Sequence, residues 1–244
     1  MKVYLAGTQG DKGGLVGDRS GLYLLESFEY LNDKKMLNYK NHNFLLDSGA
    51  FTFMNKTKSR CDWDLYITNY GNFINKHNIN LFFELDIDVV VGLKETERLR
   101  NKLETITKKQ CIPVWHKSRG LAYWIKMCED YSYVAIGGIV TKEIKKSEYS
   151  FFSPLLKIAR ERNCKVHGLG YTNIKGLKKY PFYSVDSTSW ISGQKFLNMM
   201  QYVGNGNFKT RRPEPNQKGI NPKKRLAYNF NEWVKFQQYA EEYL

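Results

Sequence analysis

Seven short apolar runs punctuate the chain at intervals of roughly 20 to 40 residues, and this rhythm restricts its fold more than any other feature. They are "KVYLAG" (2–7), "NFLLDS" (43–48), "LFFELDID" (81–88), "CIPVWH" (111–116), "YVAIGGI" (133–139), "KVHGLG" (165–170) and "FYSVDS" (182–187). Each is too short for a core helix and reads as a buried strand. Between several of them lie amphipathic or charged stretches of helical length. "DWDLYITNYGNFINKH" (62–77) opens on a capping Asp62 and repeats Trp63, Ile67, Tyr70 and Ile74 at spacings of three and four. "LKETERLRNKLETITKK" (93–109) is a charge-laced helix. "SPLLKIARERN" (153–163) starts with Ser153 as cap and Pro154 at the first helical position, and a last helix occupies about 229–244. Strands alternating with helices predict an α/β protein built of parallel β/α units. The expected architecture is one compact (β/α)8 TIM-type barrel spanning 1–244, with a doubly wound sheet as its rival.

The ends of these strands are unusually polar. They carry Asp47-Ser48-Gly49, Asp86 and Asp88, His116, Gly137-Gly138, Gly168-Leu169-Gly170 and Asp186-Ser187. In a parallel barrel the C-terminal strand ends surround one mouth, where catalytic groups are placed. Carboxylates would then ring that mouth, with glycines that let a flat ligand approach the backbone. Simpler roles exist for the same residues. Asp47 and Asp186, each followed by small hydroxyl or glycine residues, suit turns and helix caps. Asp86 and Asp88 form a DxD pair of hard oxygen ligands suited to Mg²⁺. His116 and His167 also end strands, and a lone histidine is commonly a packed or hydrogen-bonded residue.

Other motif classes are missing. "GTQGDKGGLVGDRSG" (7–21) lacks the order of a dinucleotide or P-loop fingerprint and reads as a mobile loop. There is no GxSxG elbow. Cys61, Cys111, Cys128 and Cys164 form no closely spaced zinc pair and suggest no disulfide framework. No signal peptide and no membrane-length apolar run are evident, so a cytoplasmic setting without membrane contact is expected.

Charge points to a partner. Lys and Arg number 38 against 24 Asp and Glu, a net charge of +14. That excess suggests an anionic partner, nucleic acid before acidic lipid, although an AT-rich coding sequence would also enrich Lys. Segment 205–225 concentrates the effect with seven Lys/Arg, one Glu and three of the six prolines. It reads as an irregular cationic loop, and Lys209, Arg211, Arg212, Lys223, Lys224 and Arg225 are its candidate phosphate contacts.

Two carboxylates facing one pocket suit chemistry at the anomeric carbon of a sugar. One attacks or stabilises the oxocarbenium-like centre and the other moves protons. In this chain the motifs resemble those of tRNA-guanine transglycosylases. "LLDSGAF" is similar to their Asp-Ser-Gly-Gly-Phe motif and "FFELDID" to their base-recognising aspartate strand. "AIGGI" and "VHGLG" resemble their glycine strands, and "YSVDSTSW" the strand of their nucleophilic aspartate. The order along the chain agrees, over roughly residues 44 to 190. The resemblance implies a (β/α)8 barrel with no cofactor and no catalytic metal. It implies Asp186 as nucleophile at C1′ of a target guanosine and Asp47 as general acid/base. It further implies Asp86, or failing it Asp88, on the guanine-like edge, backbone groups of Gly137 and Gly138 on the exocyclic substituent, and Leu169 and Gly170 along the base face. Ser48 and His116 join these as substrate-binding candidates, His116 standing near a base-binding glutamine of the family.

The departures shape the expectation. The family's CxCxxC-His zinc cluster is absent, the chain is much shorter than the tRNA enzymes, and Ala50 follows Gly49 where the family has a second glycine. A zinc-free version is similar to phage-type relatives that exchange guanine for a 7-deazaguanine in DNA. DNA is therefore the favoured polymer and tRNA the alternative. A non-catalytic basic nucleic-acid-binding barrel and a Mg²⁺-dependent nuclease or phosphotransferase using Asp86 and Asp88 are the readings from other classes.

Overall fold

The computed structural model describes residues 1–11, 13–50, 61–191, 198–211 and 221–244. Its centre is a curled, seven-stranded parallel sheet of β1 (Lys2–Ala6), β2 (Tyr23–Ser27), β3 (Asn43–Asp47), β4 (Val114–Trp115), β5 (Tyr133–Ile136), β6 (Lys165–Gly168) and β7 (Ser184–Ser187). The spatial order is β3-β2-β1-β7-β6-β5-β4. Residues 81–84 lie between the two outer strands. Phe82 bridges Leu46 of the β3 run and Phe83 bridges Ile112 just ahead of β4, both in parallel.

Side-chain alternation explains the placement of the core. Successive strand residues point to opposite faces. Val3, Leu5, Leu24, Leu46, Val134, Ile136, Val166 and Val185 pack in the cluster shared with the helices. Tyr4, Ala6, Tyr23, Leu25, Leu45, Phe83, Tyr133 and Ala135 form a second cluster on the concave side. Asp47 shares the parity of Leu45, and Ser184 and Asp186 alternate with Val185. The same periodicity that buries the apolar residues therefore sends both carboxylates inward.

Among the described residues, long helices follow the β3, 81–84, β4 and β5 segments: α1 (Trp63–Lys76), α2 (Leu93–Thr107), α3 (Gly120–Asp130) and α4 (Phe152–Glu161). Asp62 caps α1, accepting from the Leu65 N–H at 2.9 Å, and Ile67, Tyr70 and Ile74 are buried as the spacing requires. The start of α4 differs from expectation. A 3-10 turn over Lys146–Phe151 runs straight into it, so Ser153 and Pro154 lie inside the helix rather than at its cap.

Three further differences concern regions without a clean apolar pattern. β2 was not among the expected strands, because "YLLES" is short, acidic at its end and preceded by the glycine-rich segment. The 81–88 run contributes two single bridges and then turns at Asp88–Val91 instead of continuing as a strand. The cationic segment 205–225 is no single irregular loop. Its first part pairs as an antiparallel hairpin of β8 (Met199–Gly204) and β9 (Asn207–Arg211). Asn205 and Gly206 turn it with φ of 48° and 68°, as a tight hairpin demands. Its last part already belongs to α5 (Pro222–Tyr243), with Asn221 accepting from the Lys223 N–H and Pro222 in the first turn.

The glycine-rich segment is tied down at several points. Glu26, 1% exposed, accepts from Thr8 Oγ1 at 3.0 Å and Gly10 N at 3.2 Å, and Asp11 accepts from the N–H groups of Leu15 and Val16. No described helix is long and apolar enough to cross a membrane.

α5 joins the hairpin to the sheet. Phe208 stacks on Trp233 at 5.0 Å and meets Phe236 at 5.4 Å. Gln237 donates from Nε2 to the carbonyls of Val3 and Tyr23 at 2.7 and 2.8 Å. Phe236 is fully buried in this seam. Phe236→Ala is expected to lower the unfolding free energy by about 3–5 kcal/mol, read from urea melts. A loss within the roughly 0.5 kcal/mol typical of surface substitutions would show that α5 does not pack as described.

Candidate functional site

The C-terminal ends of the parallel strands bring the sequence-predicted acids to one side of the sheet. Asp47 ends β3 and Asp186 lies near the end of β7. Their carboxyls are close enough to influence each other. Burial raises the Asp47 carboxyl to about 6. A Gly49 N–H at 3.1 Å works against that rise, while the charges of Asp186, Asp86 and Glu26 add to it. Gly49, at φ +82°, makes the tight turn by which this N–H returns to Asp47. The turn role foreseen for Asp47 is thus met by one oxygen, in a setting that also tunes its proton.

Asp186 is 8% exposed and held differently. Its Oδ1 accepts from the Gly170 N–H at 2.6 Å and lies 3.2 Å from His167 Nε2. Among the described residues Oδ2 has no hydrogen-bond partner. Ser187, not Asp186, takes the local capping role, accepting from the Ser189 N–H at 3.1 Å. The two carboxylates therefore share one mouth but have unlike surroundings. Among the described residues, Asp186 has two partners on its Oδ1, whereas Asp47 has the single Gly49 N–H and is biased toward holding a proton.

Asp86, Asp88 and His116 form the neighbouring group. His116 lies 2.9 Å from Asp86 Oδ2 through Nε2 and 2.9 Å from Glu143 Oε2 through Nδ1. Burial pulls its basicity down, but the two carboxylates outweigh that and raise the imidazole to about 9. Arg119, whose side chain is only 2% exposed, donates from Nε to Asp88 Oδ2 at 2.9 Å. The same guanidinium reaches Asp86 Oδ1 at 3.5 Å, Glu84 Oε1 at 3.4 Å and the Val114 carbonyl. Glu84 is fully buried, flanked also by Arg100 at 3.6 Å. Burial raises its carboxyl, while the two guanidiniums oppose that. One donor atom from each of Asp86, Asp88 and His116 falls within 4.8 Å of the others, a set able to hold a divalent cation. In the structure these donors are engaged with Glu143 and Arg119.

The remaining candidates divide. The Gly137 N–H is bonded to the Trp115 carbonyl, and the Gly138 carbonyl accepts from Ile144 N. A Cβ on Gly137 would lie 2.8 Å from the His116 ring, so the close approach that this glycine permits is with His116. Gly170 supports Asp186 through its N–H instead of only lining a face. Leu169 is half-buried against the concave-side cluster. Among the described residues the buried Ser48 hydroxyl has no hydrogen-bond partner, and the Ser48 carbonyl accepts from Tyr66 OH at 2.6 Å.

The basic candidates separate as well. Lys209 and Arg211 are exposed on β9, and Lys223 and Lys224 are exposed in the first turn of α5. Arg225 is only 3% exposed, so it is unsuited to a phosphate contact. Arg212 lies outside the described residues. Arg119, Glu143 and Glu26 were not singled out from sequence. The available signal was indirect: Glu84, Asp86 and Asp88 on one strand end require a buried counter-charge.

No protein-family model matches the chain, and no curated protein does. Among solved structures, it is similar to the carboxyl transferase domain of Rhizobium etli pyruvate carboxylase, with a TM-score of 0.47 and 15% identity. The match covers 98% of this chain and 48% of that one, so the chain spans about half its length.

The imidazolium between Asp86 and Glu143 has a stability signature. Its folded basicity lies above the ordinary value of 6.5, so its contribution is complete below about pH 6.5 and is lost as pH rises through about 9. With the side chain 8% exposed, the full span is on the order of 3 kcal/mol. Thermal melts across that window should show wild type losing stability relative to His116→Gln. Parallel pH profiles for the two proteins would contradict the paired imidazolium.

Proposed function

We propose that this chain is a base-exchange transglycosylase that replaces guanine in DNA with a 7-deazaguanine. The observation that carries the reading is the pairing of Asp47 and Asp186 at one mouth, where burial raises the Asp47 carboxyl and Asp186 Oδ1 is held by the Gly170 N–H and His167. In this reading Asp47, with its raised carboxyl, is the proton carrier and Asp186 is the nucleophile. The ordered motifs over 44–190 support the same assignment. We also infer that residues 81–84 act as an eighth stave and close the sheet as a (β/α)8 barrel, since they bridge both outer strands.

In the proposed first step, Asp186 Oδ2 bonds to C1′ of the target nucleoside as the C1′–N9 bond breaks. The electron pair goes to guanine, and Asp47 supplies the proton that neutralises it. In the second step, Asp47 takes the N9 proton of the incoming 7-deazaguanine. That nitrogen bonds to C1′, and Asp186 leaves as a carboxylate. Asp86 is assigned to the base edge, with Asp88 as the fallback. Ser48, whose buried hydroxyl lacks a partner among the described residues, and Leu169 are assigned to the base's surroundings. Lys209, Arg211, Lys223 and Lys224 would grip phosphate in a salt-sensitive manner. Duplex DNA must release its guanine by base flipping, which costs a few kcal/mol.

A metal-dependent reading draws on one separate observation, the donor set of Asp86, Asp88 and His116. It predicts a nuclease or phosphotransferase that EDTA silences, whereas base exchange is expected to persist in EDTA. Running the assay on DNA and tRNA also separates the polymer alternatives, and binding that survives without exchange would indicate a non-catalytic barrel.

Labelled guanine or a 7-deazaguanine should enter wild-type-treated DNA, detected after digestion to nucleosides. Asp186→Ala should lower incorporation by about a thousandfold or more. The guanine-releasing half-reaction needs protonated Asp47, so its rate should fall as pH rises through about 6. The base-accepting half-reaction needs the ionised form and should rise through the same region. Equal label with wild type and Asp186→Ala would refute the assignment.

A further inference from the structure

The concave face of the sheet contains a polar chain where an apolar layer would be expected. His167 is 0% exposed, packed beside Phe83 at 5.2 Å and Tyr4 at 6.1 Å between ring centres. A buried imidazole is costly unless both nitrogens are satisfied. Here both are. Nε2 lies 3.2 Å from Asp186 Oδ1, and Nδ1 lies 2.6 Å from Ser184 Oγ. Ser184, also 0% exposed, is in turn 2.5 Å from Tyr133 OH. The four residues run as one hydrogen-bonded line from the interior to the mouth.

We propose that His167, backed by Ser184 and Tyr133, is a positioning residue that fixes which oxygen of Asp186 reacts. The inference rests on the transglycosylase reading and specifies how its nucleophile is held. An ionised carboxylate oxygen only accepts, so Nε2 carries the proton toward Asp186. Nδ1 then accepts from Ser184, whose oxygen accepts from Tyr133. The serine anchors the tautomer and the ring plane together, as partners of a functional histidine do. With Gly170 N–H and His167 both on Oδ1, the carboxylate cannot rotate freely, and Oδ2 is the oxygen presented to C1′.

This arrangement has a chemical consequence beyond orientation. In the covalent intermediate Oδ1 is the carbonyl oxygen of a neutral ester, whereas in the free enzyme it shares a full negative charge. Hydrogen bonds to a charged acceptor are the stronger ones, so the His167 donor favours the carboxylate over the ester. It biases the enzyme toward releasing the nucleic acid rather than storing it as adduct. A purely structural histidine would have no such preference.

The test is the ratio of adduct to free protein at equilibrium with a fixed guanine concentration, on DNA and on tRNA, read on denaturing gels. His167→Met removes the donor with an apolar side chain of similar reach. It should shift the ratio about tenfold toward adduct. His167→Gln retains an amide N–H near the Nε2 position and should stay within about twofold of wild type. Ser184→Ala loosens only the support and should shift the ratio in the same direction by a smaller factor. Ser184→Ala also serves if His167→Met fails to give a cooperative melt. An unchanged ratio in a folded His167→Met or Ser184→Ala variant overturns the proposal while leaving the transglycosylase reading intact. No adduct with wild type on either polymer, matching Asp186→Ala, overturns both.

Discussion

A carboxylate on an inward-facing strand position is the constraint from which the rest of this structure follows. Parallel strands bury both faces, so every second residue must be accommodated on the concave side. For most of the chain that residue is Tyr, Leu or Ala. At the ends of β3 and β7 it is Asp. Each acid then requires either hydrogen-bond donors or a proton. Asp186 obtains donors from the Gly170 N–H and His167. Asp47 obtains a single N–H from Gly49 and is displaced toward its protonated form. The division of labour proposed for the pair is a direct result of that inequality.

Beside them, a network of opposite charges manages the acids that follow residue 83. Glu84, Asp86 and Asp88 meet Arg100, Arg119 and His116, and Glu143 closes the far side of the imidazole. Breaking one member would leave a buried charge uncompensated, which is more damaging than the net worth of any pair. The network also bears on the metal reading. A cation at Asp86, Asp88 and His116 would have to displace the His116 proton and compete with Arg119.

Much of the sheet was legible because its strands are apolar, short and separated by helix-length segments. Six of the seven expected runs form strands, at 2–6, 43–47, 114–115, 133–136, 165–168 and 184–187. β2 escaped because "YLLES" ends in polar residues that serve Thr8 and Tyr39 rather than the apolar core. The hairpin was legible in principle, since Asn205-Gly206 is a strong two-residue turn signal, but the surrounding lysines, arginines and prolines suggested irregular chain. Asp47, Asp86, Asp88 and Asp186 could be picked out because each ends an apolar run. Arg119 and Glu143 could not, because they sit in connecting segments and gain meaning only when Asp86, Asp88 and His116 come to them through space. His167 was visible as a strand-end histidine, yet its two partners lie 17 and 19 residues onward on another strand.

The central claim is that Asp186 becomes covalently linked to a nucleic-acid sugar. The direct measurement is mass spectrometry of the protein quenched in denaturant after mixing with DNA, followed by nuclease trimming and peptide mapping. The account predicts a deoxyribose-linked mass on the peptide containing Asp186, diminished by added guanine and undiminished by EDTA. A protein that carries no such mass, or carries it on a residue other than Asp186, would contradict it.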